Sequence, residues 1–133
     1  MTLIEKTAYP RFRKEYRQSE LNTYFNPTSK EIRFVSRNTR YPNGKLTLLV
    51  LLKTHQHLGR TTLVHHIPLS IISYLRDHIE LSEDIQPLEE TSLNKKRFYR
   101  YRQFIRAFLQ VQSWSAKAEH IILEVVNKVA YTM

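Results

Sequence analysis

The sequence predicts an all-α protein, a compact multi-helix bundle, and three observations predict it. Only two Gly and five Pro occur in 133 residues, so the chain lacks the turn chemistry that hairpins need. Apolar residues recur at intervals of three and four in several stretches, the period of a helix with one buried face. The longest apolar run, 48–52, lies in a continuous stretch from 45 to 57, longer than a usual strand of about 5 to 6 residues.

The elements follow in order. A first helix is expected over residues 10–18, with Phe12 and Tyr16 on one side. Ser19, Leu21, Tyr24 and Phe25 form a brief second helix that Asn26-Pro27 closes, because proline restrains the residue before it and cannot continue the ladder. Thr28 with Glu31 three positions on is a capping-box pattern, so a helix runs from there to about Asn38 and buries Ile32, Phe34 and Val35. Tyr41-Pro42-Asn43-Gly44 reads as a turn. Residues 45–57 are apolar nearly all round, which suits a central helix, and Gly59 supplies its stop.

Pro68 suits the first turn of the next helix, which carries Ile71, Ile72, Leu75 and Ile79 and ends near Leu81. The acidic stretch 82–92, with Glu83, Asp84, Glu89 and Glu90, is the candidate hinge. It divides the chain into an N-terminal helical lobe (1–81) and a C-terminal lobe (93–133), two small helix-turn-helix-like units in the alternative to one bundle. A helix over 94–109 places Phe98, Tyr101, Ile105, Phe108 and Leu109 on a core-facing arc of about 100°. Ser113 or Ser115 is expected to cap a last helix to about Ala130, with Ala118, Ile121, Ile122, Val125 and Val129 inward. That helix is unfinished at Met133, which reads as a piece of a longer protein.

Twenty-one Lys and Arg against 12 Asp and Glu give a net charge of +9, which favours a polyanionic partner. Each phosphate that a Lys or Arg neutralises releases condensed counterions, whatever the base sequence. The chain has no Cys, so disulfides and thiolate chemistry are excluded. The N-terminus has no signal-peptide apolar region, and no run approaches the ~20 residues of a membrane span. The expected location is cytoplasmic, without a membrane partner.

The basic residues fall into two sets. Lys30, Arg33, Arg37 and Arg40 line one side of the helix that starts at Thr28. Six Lys or Arg fall within residues 95–106, with Lys95, Tyr99, Arg102 and Arg106 along one stripe and Lys96 and Arg100 flanking it. Lys and Arg so placed contact phosphates, while Tyr99 reaches a phosphate or stacks on a sugar or base. A solvated helix face is the plain alternative. His55, His57, His65 and His66 fall within twelve positions, but none forms the i, i+4 pair of a helical metal site, and no metal or cofactor is assigned. Neither a Gly-rich phosphate loop nor carboxylates arranged for metal-dependent hydrolysis occur, so no catalytic residue is assigned.

The ordered set of features resembles the N-terminal domain of the Tn-three family of replicative transposases. It comprises Ser19 and the aromatic pair before Asn26-Pro27-Thr28, then Glu31-Ile32-Arg33-Phe34-Val35. An apolar helix initiated at Asn43 and ending in Leu58-Gly59-Arg60 follows, then Ile67-Pro68, Ile71-Ile72-Ser73-Tyr74-Leu75, Tyr99-Arg100, Ile105-Arg106 and Phe108-Leu109. It departs at Thr61-Thr62, where that family often has Phe-Pro, and at the Asn43 helix, which lacks the common Arg-Leu-Gly start. The resemblance implies the N-terminal module of a much larger bacterial, nucleoid-associated DD(E/D) transposase, whose catalytic carboxylates lie downstream. It would bind double-stranded DNA at the terminal inverted repeats, partnered by the remainder of the transposase. The candidate contacts are Lys30, Arg33, Arg37, Arg40, Arg60, Lys95, Lys96, Tyr99, Arg100, Arg102 and Arg106. The alternative is a helical interaction module that docks an acidic partner through its basic face.

Overall fold

The computed structural model describes residues 12, 13 and 15–132, with side chains omitted at 115, 116 and 122–132. Among the described residues there are five α-helices and no strand: α1 (Gln18–Tyr24), α2 (Ser29–Asn38), α3 (Pro42–Leu58), α4 (Leu69–His78) and α5 (Lys95–Thr132). Single 3-10 turns at Val64–His66 and Ser92–Asn94 link them. The all-α expectation holds.

The expected helix over 10–18 is corrected. Residues 12, 13 and 15–17 are not helical, and Pro10, Arg11 and Lys14 lie outside the described residues. The Glu20 carboxylate accepts from the Arg17 backbone N–H at 3.0 Å and so fixes the start of α1 at Gln18. Upstream, aromatic burial decides the path. Tyr16 packs edge-on against Phe25 with ring centroids 5.5 Å apart, and Phe12 lies against His57 at 6.3 Å.

The capping box at α2 forms as expected: Thr28 N–H donates to Glu31 Oε1 at 2.7 Å, and Glu31 N–H donates to Thr28 Oγ1 at 3.1 Å. Phe34 and Val35 are buried. The turn expected at Tyr41-Pro42-Asn43-Gly44 is instead the start of α3, with Tyr41 as N-cap and Pro42 in the first helical position. There the missing proline N–H costs no intrahelical bond. Gly44 serves packing rather than a reversed dihedral. A Cβ on it would lie 2.6 Å from the Tyr101 hydroxyl, so α5 can cross only over a bare Cα.

α3 is the central helix that its sequence predicts. Leu46, Leu48, Leu49, Val50 and Leu52 are fully buried, each contributing about 1.5–3 kcal/mol relative to exposure. Its stop is Gly59, at φ 72° with its N–H donating to His55 O at 2.8 Å, the left-handed cap that favours glycine. α4 is capped by Pro68, buries Ile71, Ile72 and Leu75, and ends at His78. The chain then reverses through Glu80 at φ 56°, so this helix is shorter than expected.

The acidic segment 82–92 is strapped to the bundle. Leu88 N–H donates to Thr47 Oγ1 (2.8 Å), Asn43 Nδ2 to Gln86 O (2.9 Å) and Arg76 to Ile85 O (2.9 Å). Buried residues before it (Tyr16 to Leu75) and after it (Phe98, Tyr101, Ile105) belong to one hydrophobic cluster, on which Ile85 and Leu88 also pack.

The break expected between residues 109 and 113 is also corrected: α5 is one helix of 38 residues, about 57 Å at 1.5 Å per residue. No Gly or Pro lies within it, and Ser113 can cap a helix only where something else ends the one before. Its first half is anchored by Phe98, Tyr101 and Ile105 and by Phe108, which stacks on Phe34 of α2 at 4.4 Å. Farther along, Val111 (64% exposed), Trp114 (72%) and Ile121 (58%) face solvent, so Ile121 is not the inward residue expected. The side chains of Ile122, Val125 and Val129 lie outside the described residues. No helix among the described residues is long and apolar enough to cross a membrane.

Candidate nucleic-acid interface

The two basic sets are far apart in sequence, yet the fold brings parts of both to one cleft. Phe34 on Phe108 fixes α2 beside α5, and Tyr101 over Gly44 fixes the start of α3 against α5. Between these anchors opens a cleft of about 670 Å³ lined by Arg37 and Arg40 from one side and Arg97 and Arg100 from the other. Asn43, Tyr41, Tyr101 and Phe104 complete much of its wall, and no carboxylate is among the described residues that line it. Burial pushes the Tyr101 hydroxyl pKa up, against the opposing charges of Arg97 and Arg100, so both guanidinium groups act on the cleft floor.

A second surface lies around the same helix. Lys95, Lys96, Tyr99, Arg100, Arg102, Gln103 and Arg106 border a shallow depression built from α5 alone. No other element among the described residues lines it. Arg100 borders both features and so marks the ridge between them. Tyr99 is exposed, and its hydroxyl accepts from Gln103 Nε2 at 2.8 Å.

Ion pairs among the described residues include Arg13 with Glu20, Lys53 with Glu31, and Arg102 with Glu90. Lys30, Arg33, Arg37, Arg40, Lys95, Lys96, Arg100 and Arg106 are all exposed and pair with no carboxylate among the described residues. Arg102 departs from the sequence reading. Its guanidinium donates to Glu90 Oε1 at 2.7 Å and to Thr62 O at 3.3 Å, and lies over the Phe98 ring. Half-buried and engaged inside the protein, it ties α5 to the acidic strap and is no open phosphate contact. Arg60 is exposed just past the C-terminus of α3, at the far end of that helix from the cleft.

The sequence reading missed Arg97. On a helix, positions 97, 100, 101 and 104 share one side, between the core arc and the open stripe, so a helical projection contains the signal. What it lacks is the partner: only the fold shows that this side meets the end of α2. The histidines play other parts. Burial and then the charge of Arg106 hold the His55 pKa below its ordinary value, and burial with Arg13 does the same for His57. His57 sits among Phe25 (4.8 Å), Tyr24 (5.1 Å) and Tyr16 (6.2 Å).

A family model described as a domain of unknown function, DUF4158, matches residues 1–133. The chain belongs to the DUF4158 family. No curated protein and no solved structure matches this DUF4158 domain. Its exposed cations without a carboxylate partner among the described residues lie on α5 and along α2 and its C-terminal end.

Proposed function

We propose that this DUF4158 domain binds double-stranded DNA, as the end-recognition module of a transposase of the kind its sequence resembles. The observation that carries the reading is convergence. Basic residues 60 positions apart, Arg37 and Arg97, meet in one cleft whose described lining holds no acidic side chain. The B-DNA major groove, about 12 Å wide, admits an α-helix, and the open face of the first half of α5 would be presented to it. Lys95, Lys96, Tyr99, Arg100 and Arg106 would then face bases and the near phosphates. Lys30, Arg33, Arg37 and Arg40 on α2 would hold the neighbouring backbone and set register. The domain carries no catalytic residue in this reading; strand cleavage and joining belong to other parts of such a transposase.

The test is gel-shift competition at moderate salt between a terminal inverted repeat and a scrambled duplex of equal length. Preference for the repeat supports end recognition; equal competition by both duplexes overturns it. Arg106→Ala is expected to cost about 1–3 kcal/mol on the cognate duplex and little on the scrambled one if it reads a base. Loss on both alike would reassign it to a phosphate.

A further inference from the structure

The geometry points to the arginine cleft as a preformed oxyanion pocket that seats phosphate groups, separate from the open face of α5. Its basis is the set of guanidinium groups. Four arginines, Arg37 from α2, Arg40 from the α2–α3 connection and Arg97 and Arg100 from α5, rim a concavity of about 670 Å³ with no carboxylate among its described lining residues, and none of them pairs with a carboxylate among the described residues. Four like charges held together repel one another, and a bound anion relieves that repulsion. Guanidinium forks match phosphate oxygens in bidentate fashion, so four can grip more than one phosphate. The cleft volume lies in the range of about 300–1,000 Å³ usual for discrete ligand sites, room for a phosphate with its flanking sugars. The first turn of α3 opens onto the same space and contains no acidic residue, so its partial positive charge adds to the field.

The pocket is also rigid where it must be. Tyr101 is buried against Gly44, and Phe34 stacks on Phe108. The spacing between the backbone segments that carry the two arginine pairs is thereby set before any ligand arrives. Shallow contacts on the open stripe lack such preorganisation. For the physiological source of the phosphate, the inference rests on the DNA reading above: a strand of the duplex would place its backbone in the cleft while α5 occupies the groove beside it.

Isotope-edited NMR of the whole chain, titrated with pyrophosphate against chloride at equal ionic strength, tests the pocket without DNA. Saturable shifts confined to the amides of residues 37–44 and 97–104 are expected. Shifts spread equally over the α5 stripe to residue 106, or none, overturn it. Arg40→Gln with Arg97→Gln should weaken pyrophosphate binding at least tenfold, and Lys95→Gln with Arg106→Gln less than twofold; the reverse order also overturns it. Duplex binding separates the two ideas. Pyrophosphate bound in the cleft with no affinity for any duplex would leave the pocket and remove the DNA reading. Duplex binding that survives loss of Arg40 and Arg97, with no pyrophosphate shifts, would do the opposite.

Discussion

Glu31 accepts from the Thr28 backbone, from Lys53 Nζ at 3.0 Å and from Gln56 Nε2 at 2.6 Å, so one carboxylate both caps α2 and pins it to α3. Burial opposes its ionisation, but the hydrogen bonds from Thr28, Gln56 and Lys53 and the Lys53 charge together hold its pKa below the ordinary value. A carboxyl with a depressed pKa stabilises the fold above its unfolded pKa, near 4.3, and that contribution is lost as pH falls through the lower folded value. Glu31→Ala should cost about 3–5 kcal/mol, because it leaves Lys53 buried without its partner. Urea melts of the two proteins would show it. At Gly44, an added Cβ must displace the Tyr101 hydroxyl, so Gly44→Ala should lose about 1–3 kcal/mol by overpacking. Removing that hydroxyl with Tyr101→Phe should rescue the double variant, and a thermal-denaturation cycle measures the coupling. His57 adds a pH term: its depressed pKa makes its stabilising contribution complete above about 6.5 and lost as pH falls through the folded value. An imidazole titration by NMR with its midpoint at or above 6.5 would contradict the described packing.

Whole helices were legible wherever local chemistry decides. The capping box at Thr28 and Glu31, the all-round apolar α3 and the glycine stop at Gly59 can be read from short strings, because each is settled within one or two turns. Two of the misread boundaries erred in opposite directions, both through a tertiary contact. Residues 10–18 look helical by spacing, but Phe12 packs on His57, far along the chain, and Tyr16 on Phe25 beyond the next helix. The Pro42-Asn43-Gly44 string looks like a turn, yet its glycine answers a tyrosine 57 positions away. For the interface, exposure of the two basic stripes was legible, while engagement of Arg102 by Glu90 and recruitment of Arg97 were not, since both depend on how α5 meets other elements. At this scale, Lys30→Gln and Arg33→Gln should each lower the salt dependence of duplex binding by about one unit of slope if each neutralises one phosphate. A slope unchanged in both variants would remove Lys30 and Arg33 from the interface.

Across the whole molecule, the acidic segment that looks like a linker is fastened at Thr47, Asn43 and Arg76, and its Glu90 holds Arg102. Glu90→Gln should therefore loosen the strap and free a cation at the same time. Expected are faster amide exchange in 82–92 and duplex affinity that is unchanged or higher, read by hydrogen exchange and by gel shift. The length of α5 has a mechanical corollary. Val111 and Trp114 stand about one and a half and two turns beyond Arg106 on the same unbroken rod, and a helix fixes the azimuth of every residue it contains. Whatever grips the indole of Trp114 therefore sets the rotational phase of Lys95, Tyr99 and Arg106, and a single inserted residue between them would swing one set about 100° away from the other.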